Sequence, residues 1–184
     1  MNWTQKLEAI PADANRCQGT AVCDAADALG LEPRCIVEVG VYRGQSTRIF
    51  RKRFPDAVLV LIDPWQASEF DSNIYRGKTQ EDWDGIMMSV VREFGEGNII
   101  HRGTSETFEC AVTPDIVFID GDHTYEGVRR DLLHWLPLCS GTLLCGHDYT
   151  RARKHMGVKQ AVDEIVGDVV IGNRKTWFRW IGGE

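Results

Sequence analysis

Positive charge is in short supply: 21 lysines and arginines face 27 aspartates and glutamates, leaving a net charge of −6. Bulk electrostatics therefore gives a nucleic-acid partner no support. Two short basic runs exist, Arg51-Lys52-Arg53 and Arg151 to His155, and the first reads as a solvated face. No apolar run approaches the roughly 20 residues of a membrane span, so no membrane partner is expected. The N-terminus lacks a basic region followed by an apolar one, which argues against a signal peptide. Cysteines stand at 17, 23, 35, 110, 139 and 145 without a CxxC pair. Cys35 and Cys145 fall in predicted buried strands and read as small core residues, so the expected setting is reduced and cytoplasmic. Repeats, low-complexity tracts and linkers are also missing, and 184 residues suit one domain with a real core.

What is present centres on Ile36-Val37-Glu38-Val39-Gly40-Val41-Tyr42-Arg43-Gly44-Gln45-Ser46. β-branched residues give a buried strand, the glycines a tight turn, and Gln45-Ser46-Thr47 the opening of a helix. Glycines at 40 and 44 would let the backbone approach a ligand where a Cβ would block it. The free N–H groups at the helix start favour polar or anionic ligand groups. The turn is not the dinucleotide fingerprint G-x-G-x-x-G, because Glu38 stands where the first glycine would be. An ordinary strand-turn-helix has the same outline, so the rest of the chain decides.

Trp3, Leu7 and Ile10, then Val22, Ala25 or Ala26 and Leu29, mark two helices in an N-terminal extension over residues 1–30, with Gly30 as the second C-cap. They could pad the sheet or cover a cleft. Ala57 to Ile62 is a continuous apolar run, as a central parallel strand needs, and it closes on Asp63-Pro64. Asp63 lies about 20 residues past the glycine turn, where an acid can hold both ribose hydroxyls; its other reading is a turn residue before Pro64. Residues 66–80 form a long polar loop, expected to cover the site. A helix through Trp83, Met87, Val90 and Phe94 follows, then a strand at 98–101 and a turn at Gly103-Thr104-Ser105. Strands at 115–120 and 141–146 end in Asp120-Gly121-Asp122-His123 and His147-Asp148. A last helix carries Val158, Val162 and Ile165, and strands at 168–171 and 176–181 are joined by Gly172 to Lys175, a hairpin-like turn.

This alternation predicts an α/β fold: a doubly wound, mainly parallel, Rossmann-like sheet with helices on both faces and an antiparallel C-terminal strand pair. Ligands of such sheets bind outside the carboxyl ends of the strands, where strand order reverses. Nearly every polar oddity of the chain falls on that edge.

The pattern E-x-G-x-x-x-G at Glu38 to Gly44 resembles motif I of the class I S-adenosylmethionine (SAM)-dependent methyltransferases. D-G-D-H-T-Y-E-G at Asp120, the helix with Asp131 and Trp135, and G-T-L-L-C-G-H-D-Y ending at Tyr149 resemble the small-molecule O-methyltransferases of that group, nearest to methyltransferase family 24. The resemblance runs from about Cys35 to Tyr149. It implies SAM contacts from Glu38, Gly40, Tyr42, Gly44, Ser46, Asp63, Thr104, Ser105 and Asp120, and chemistry at Asp120, His123 and Asp148. In metal-dependent relatives the matching positions, Asp120, His147 and Asp148, hold magnesium. Here the strand-five pair is His-Asp instead of two carboxylates, and imidazole tolerance makes manganese an alternative, with Asp122 a substitute ligand.

Other readings attach to the same residues. Asp122 or Thr124 can cap the helix beginning near Tyr125. His123 can be a general base or can hydrogen-bond across the strand ends to position Asp148. His101, His134 and His155 have no supporting context. The expected activity is methyl transfer to a hydroxyl of a small-molecule acceptor. The alternatives are a metal-dependent phosphoesterase, for which further histidines at strand ends are missing, and a non-catalytic SAM- or nucleotide-binding protein. A homo-oligomer stays open. The basic loop at Arg151, Arg153 and Lys154 is expected beside the acceptor.

Overall fold

The computed structural model describes residues 1–13, 16–66, 77–109, 113–150 and 156–182. Its strands are β1 (Cys35–Val39), β2 (Val58–Asp63), β3 (Ile99–Arg102), β4 (Ile116–Ile119), β5 (Thr142–Gly146), β6 (Val170–Ile171) and β7 (Trp177–Ile181). Its helices are α1 (Trp3–Glu8), α2 (Gln18–Leu29), α3 (Gln45–Arg53), α4 (Gln80–Phe94), α5 (Tyr125–Trp135) and α6 (Met156–Ile165). The strands make one sheet in the order β3-β2-β1-β4-β5-β7-β6. The first five are parallel; β7 lies antiparallel to β5, and β6 antiparallel to β7. The order reverses between β1 and β4, which sets the ligand edge of such a sheet at their carboxyl ends.

Alternate side chains along each strand enter opposite layers. Ile36, Leu59, Leu61, Ile116, Phe118 and Leu143 pack with α1 to α4. Val37, Val60, Ile62, Val117, Ile119 and Leu144 pack with α5 and α6. Covering both faces explains why these strands read as unbroken apolar runs. Both N-terminal helices pad the sheet: Leu7 and the α2 residues Ala21, Val22, Ala25 and Ala26 belong to the first layer. Gly19 permits the approach of α2 to α3, since a Cβ there would stand 3.2 Å from the Ser46 Cβ.

Helix ends follow local chemistry. Thr79 and Asp82 form a reciprocal capping box on α4. Thr124 Oγ1 accepts from Gly127 N at 3.0 Å and caps α5, while Asp122 Oδ1 accepts from Thr124 N at 2.9 Å, an Asx turn leading into the cap. Gly30 closes α2 in the left-handed region at φ 74°. The five described cysteines are free thiols, and burial pushes Cys23 up to about 12 and Cys139 up to about 11. No helix among the described residues is long and apolar enough to cross a membrane. Most of the expected covering loop (67–76) and the basic loop with Arg151, Arg153 and Lys154 lie outside the described residues.

Candidate active site

The turn after β1 is built around one carboxylate. Asp63, at the end of neighbouring β2, accepts from Tyr42 N at 2.8 Å through Oδ2 and from Trp65 N at 2.7 Å through Oδ1. A third backbone donor comes from Val41, and burial holds the carboxyl above its usual range despite these bonds. Trp65 returns the tie, its indole N–H donating to Tyr42 O at 2.9 Å. Tyr42 and Trp65 both hold positive φ, 49° and 40°. Asp63 thus fills the turn-residue role, with three backbone donors on its roughly four lone-pair sites.

The two glycines are also demanded by the fold. A Cβ on Gly40 (φ 89°) would stand 2.2 Å from the Asp120 carbonyl oxygen and 2.6 Å from Gly121 Cα. A Cβ on Gly44 (φ 71°) would stand 2.8 Å from the Phe94 ring. Both are required by the protein's own packing before any ligand is considered. The first contact also places the glycine turn directly against the end of β4. Glu38 is buried and accepts from Thr47 Oγ1 at 2.6 Å, tying β1 to α3. Burial pushes its carboxyl up to about 8, with the Thr47 bond opposing and the charges of Asp120 and Asp63 adding. Ser46 is buried in the first turn of α3.

At the ends of β4 and β5, two carboxylates and two imidazoles alternate. Asp120 Oδ1 lies 3.4 Å from His123 Nε2 and 3.5 Å from His147 Nδ1. Asp148 Oδ2 lies 3.6 Å from His123 Nε2 and 3.7 Å from His147 Nδ1. Burial alone would raise Asp120, but the hydrogen bonds and charges of the two histidines outweigh it and hold the carboxyl below its usual range. Both imidazoles are raised in turn: burial opposes, and Asp120 and then Asp148 prevail. Asp148 reaches this position through a left-handed backbone, φ 56°.

Among the described residues, the group whose ligand atoms lie within 4.8 Å of one another is Asp120, His123 and Asp148. The expected set had His147 in place of His123. His147 contacts both carboxylates but lies outside that triplet, and Asp122 is engaged instead by Thr124 N and, at 3.8 Å, by Arg130. His123 does span the strand ends between Asp120 and Asp148.

The turn after β3 divides its two hydroxyl residues. Thr104 is exposed. Ser105 is fully buried, donates to Asp131 Oδ1 at 2.6 Å, and accepts from the Trp135 indole N–H at 3.0 Å. A cofactor contact from Ser105 would therefore come from its main chain. Burial pushes Asp131 up to about 6, against the Ser105 bond. Sequence reasoning noticed Asp131 and Trp135 but missed this tie; their i, i+4 spacing on a buried helix face was the available signal. Of the other histidines, His101 Nε2 pairs with Thr107 Oγ1 at 2.8 Å, and His134 lies edge-on to Trp135.

Residues 37–149 match the family described as a methyltransferase domain. Over 137 residues the chain is 26% identical to an uncharacterized protein of Acanthamoeba polyphaga mimivirus; the match covers 74% of this chain and 61% of that protein, so the chain spans less than two thirds of that relative. Among solved structures it is similar to the O-methyltransferase TomG of Streptomyces achromogenes, solved with SAM, at 14% identity and a TM-score of 0.60 over 98% of this chain and 88% of that one. An O-methyltransferase from Bacillus cereus, solved with SAH (S-adenosylhomocysteine), gives 15% identity and a TM-score of 0.58 over 95% of this chain and 84% of that one. Likeness at such identities speaks to the fold alone.

Proposed function

The chain belongs to the class I SAM-dependent methyltransferases, and from that membership we propose that it methylates a hydroxyl of a small molecule, with a divalent cation at the ends of β4 and β5. The observation that carries this reading is the contact between glycine turn and acid cluster: the Gly40 Cβ direction runs into the Asp120 carbonyl. A methyl donor seated on the turn would have Asp120, His123 and Asp148 beside it. SAM supplies a sulfonium methyl group when bound, and a divalent cation neutralises carboxylates and makes a nearby hydroxyl more acidic.

The residues suit both groups. Two carboxylates with an imidazole match an ion that tolerates nitrogen, manganese more readily than magnesium. Asp120, His123 and Asp148 would hold it, with His147 alongside. Glu38, Gly40, Tyr42, Gly44, Ser46, Asp63 and the Thr104-Ser105 main chain would frame the donor. Transfer is an in-line displacement, so these residues act chiefly by alignment. With the cation held there, His123 is a ligand and the ion acidifies the hydroxyl; without it, His123, set between two carboxylates, would be the group to receive the acceptor's proton.

The test is methyl transfer from labelled SAM to a panel of phenols, sugars and polyketide hydroxyls, before and after exhaustive chelation. Loss of transfer on chelation, restored by manganese or magnesium, is expected. Full activity after chelation would reject the cation and leave His123 as a metal-free base. No transfer to any hydroxyl, with transfer to amines or thiols, would reject the acceptor class.

A further inference from the structure

Five non-glycine residues among those described hold positive φ: Tyr42, Trp65, Asp148, Arg174 and Lys175. Side chains of L residues avoid that region, and such residues persist where their surroundings over-determine them. The first three stand at the ends of β1, β2 and β5, within the site. Arg174 and Lys175 form the exposed turn between β6 and β7, at φ 57° and 63°.

Something must hold that turn, and the donors and acceptors identify it. Asn173 Oδ1 accepts from Asp13 N at 2.8 Å, and Asn173 Nδ2 donates to Pro11 O at 3.2 Å. Arg174 Nε donates to Arg16 O at 2.9 Å. The N-terminal segment is thus fastened to the turn from about 160 residues away in sequence. The other side of the turn faces the site. Lys175 O accepts from Tyr149 N at 3.0 Å, one residue after the left-handed Asp148. The main chain of Arg174 also lies against the His147 ring.

We propose that Asn173 is a positioning residue for Asp148: it latches the N-terminal segment to the Arg174–Lys175 turn, and the turn holds the end of β5 in the bend that brings Asp148 to Asp120 and His123. The importance of that bend rests on the reading of Asp148 as part of the active site. On this account the N-terminal extension, besides padding the sheet, completes the geometry of the acid cluster from behind.

The experiment uses the full chain, ligand-free and at one pH, with Asn173→Ala and Lys175→Gly. Glycine at 175 accepts the left-handed φ and keeps the carbonyl that receives Tyr149 N–H, so this variant should match the wild type. In Asn173→Ala the Tyr149 amide should exchange at least about tenfold faster, with SAH affinity within about twofold of wild type. The His123 ring NMR signals should move with it, which a merely structural role would not require. Unchanged Tyr149 exchange and unchanged His123 signals would overturn the proposal. Exchange raised uniformly across the sheet would overturn it too, since that is general loosening. A wild-type protein that binds no SAH would count against the functional reading, while the Tyr149 and His123 results would still decide the latch.

Discussion

Gly40 and Gly44 sit in one turn and are both left-handed, yet they should fail differently when given a Cβ. At Gly40 the obstacle is backbone, the Asp120 carbonyl at 2.2 Å, which cannot step aside without parting β1 from β4. At Gly44 it is the edge of the Phe94 ring at 2.8 Å, which can turn. Gly40→Ala should therefore cost about 3 kcal/mol or more, and Gly44→Ala about 1–2 kcal/mol, most of it backbone strain. Urea unfolding of the two variants measures this directly, and equal losses would show that the Asp120 contact is not the reason for Gly40. Glu38 gives a second residue-scale expectation, with a sign. Its carboxyl moves from an ordinary 4.5 to about 8 on burial, so the folded state keeps a proton that the unfolded state has lost between those values. Stability from this group is present below the lower value and is lost as pH rises through the upper one, at up to ~1.4 kcal/mol per unit. Glu38→Gln retains an oxygen for Thr47 and should flatten that slope. Superimposable pH–stability curves for wild type and variant would remove Glu38 as its source.

Between elements, the tie from the turn after β3 to α5 depends on one hydroxyl. Ser105→Ala leaves the Asp131 carboxyl and the Trp135 indole N–H without their shared partner in the interior. Losing both bonds should cost about 2–3 kcal/mol. If the side chain serves this tie and only the main chain faces the cofactor, SAH binding should weaken by less than folding does. Calorimetry showing the reverse would return the Ser105 hydroxyl to the cofactor. The same contrast explains what could be read from the sequence. Strands β1, β2, β4 and β5 were legible because burial on both faces leaves an unbroken apolar run. The Thr124 cap and the Gly30 C-cap were legible because each is settled within a few neighbouring residues. The packing reason for Gly40 was not legible, because its neighbour Asp120 is 80 positions away. Asp63 showed its place at a strand end but not the backbone donors that occupy it. His147 was read as the ligand and His123 as a base or a positioning residue; only the meeting of the β4 and β5 ends brings His123 into the tight triplet with Asp120 and Asp148.

For the molecule as a whole, the site lies where four strands end around the reversal of strand order, and binding there should be felt by the entire fold. A ligand that binds only the folded state adds about 2.7 kcal/mol at a hundredfold excess over its dissociation constant. For a chain of this length each kcal/mol raises the melting temperature by roughly 2–4 °C, so SAH should give about 5–10 °C. Manganese should give its own increment, because Asp120, His123 and Asp148 bring their ligand atoms within 4.8 Å of one another. The two increments separate the halves of the site. Asp148→Asn removes a charge from the cluster without touching the glycine turn, so it should abolish the manganese increment and leave that of SAH. Asp63→Ala releases the Tyr42 and Trp65 amides and should do the opposite, shrinking the SAH increment most. Thermal melts of the three proteins, each with SAH, with manganese and with both, decide it. If Asp148→Asn loses both increments together, the donor and the cation share one set of residues, and turn and cluster are not separate halves of the site.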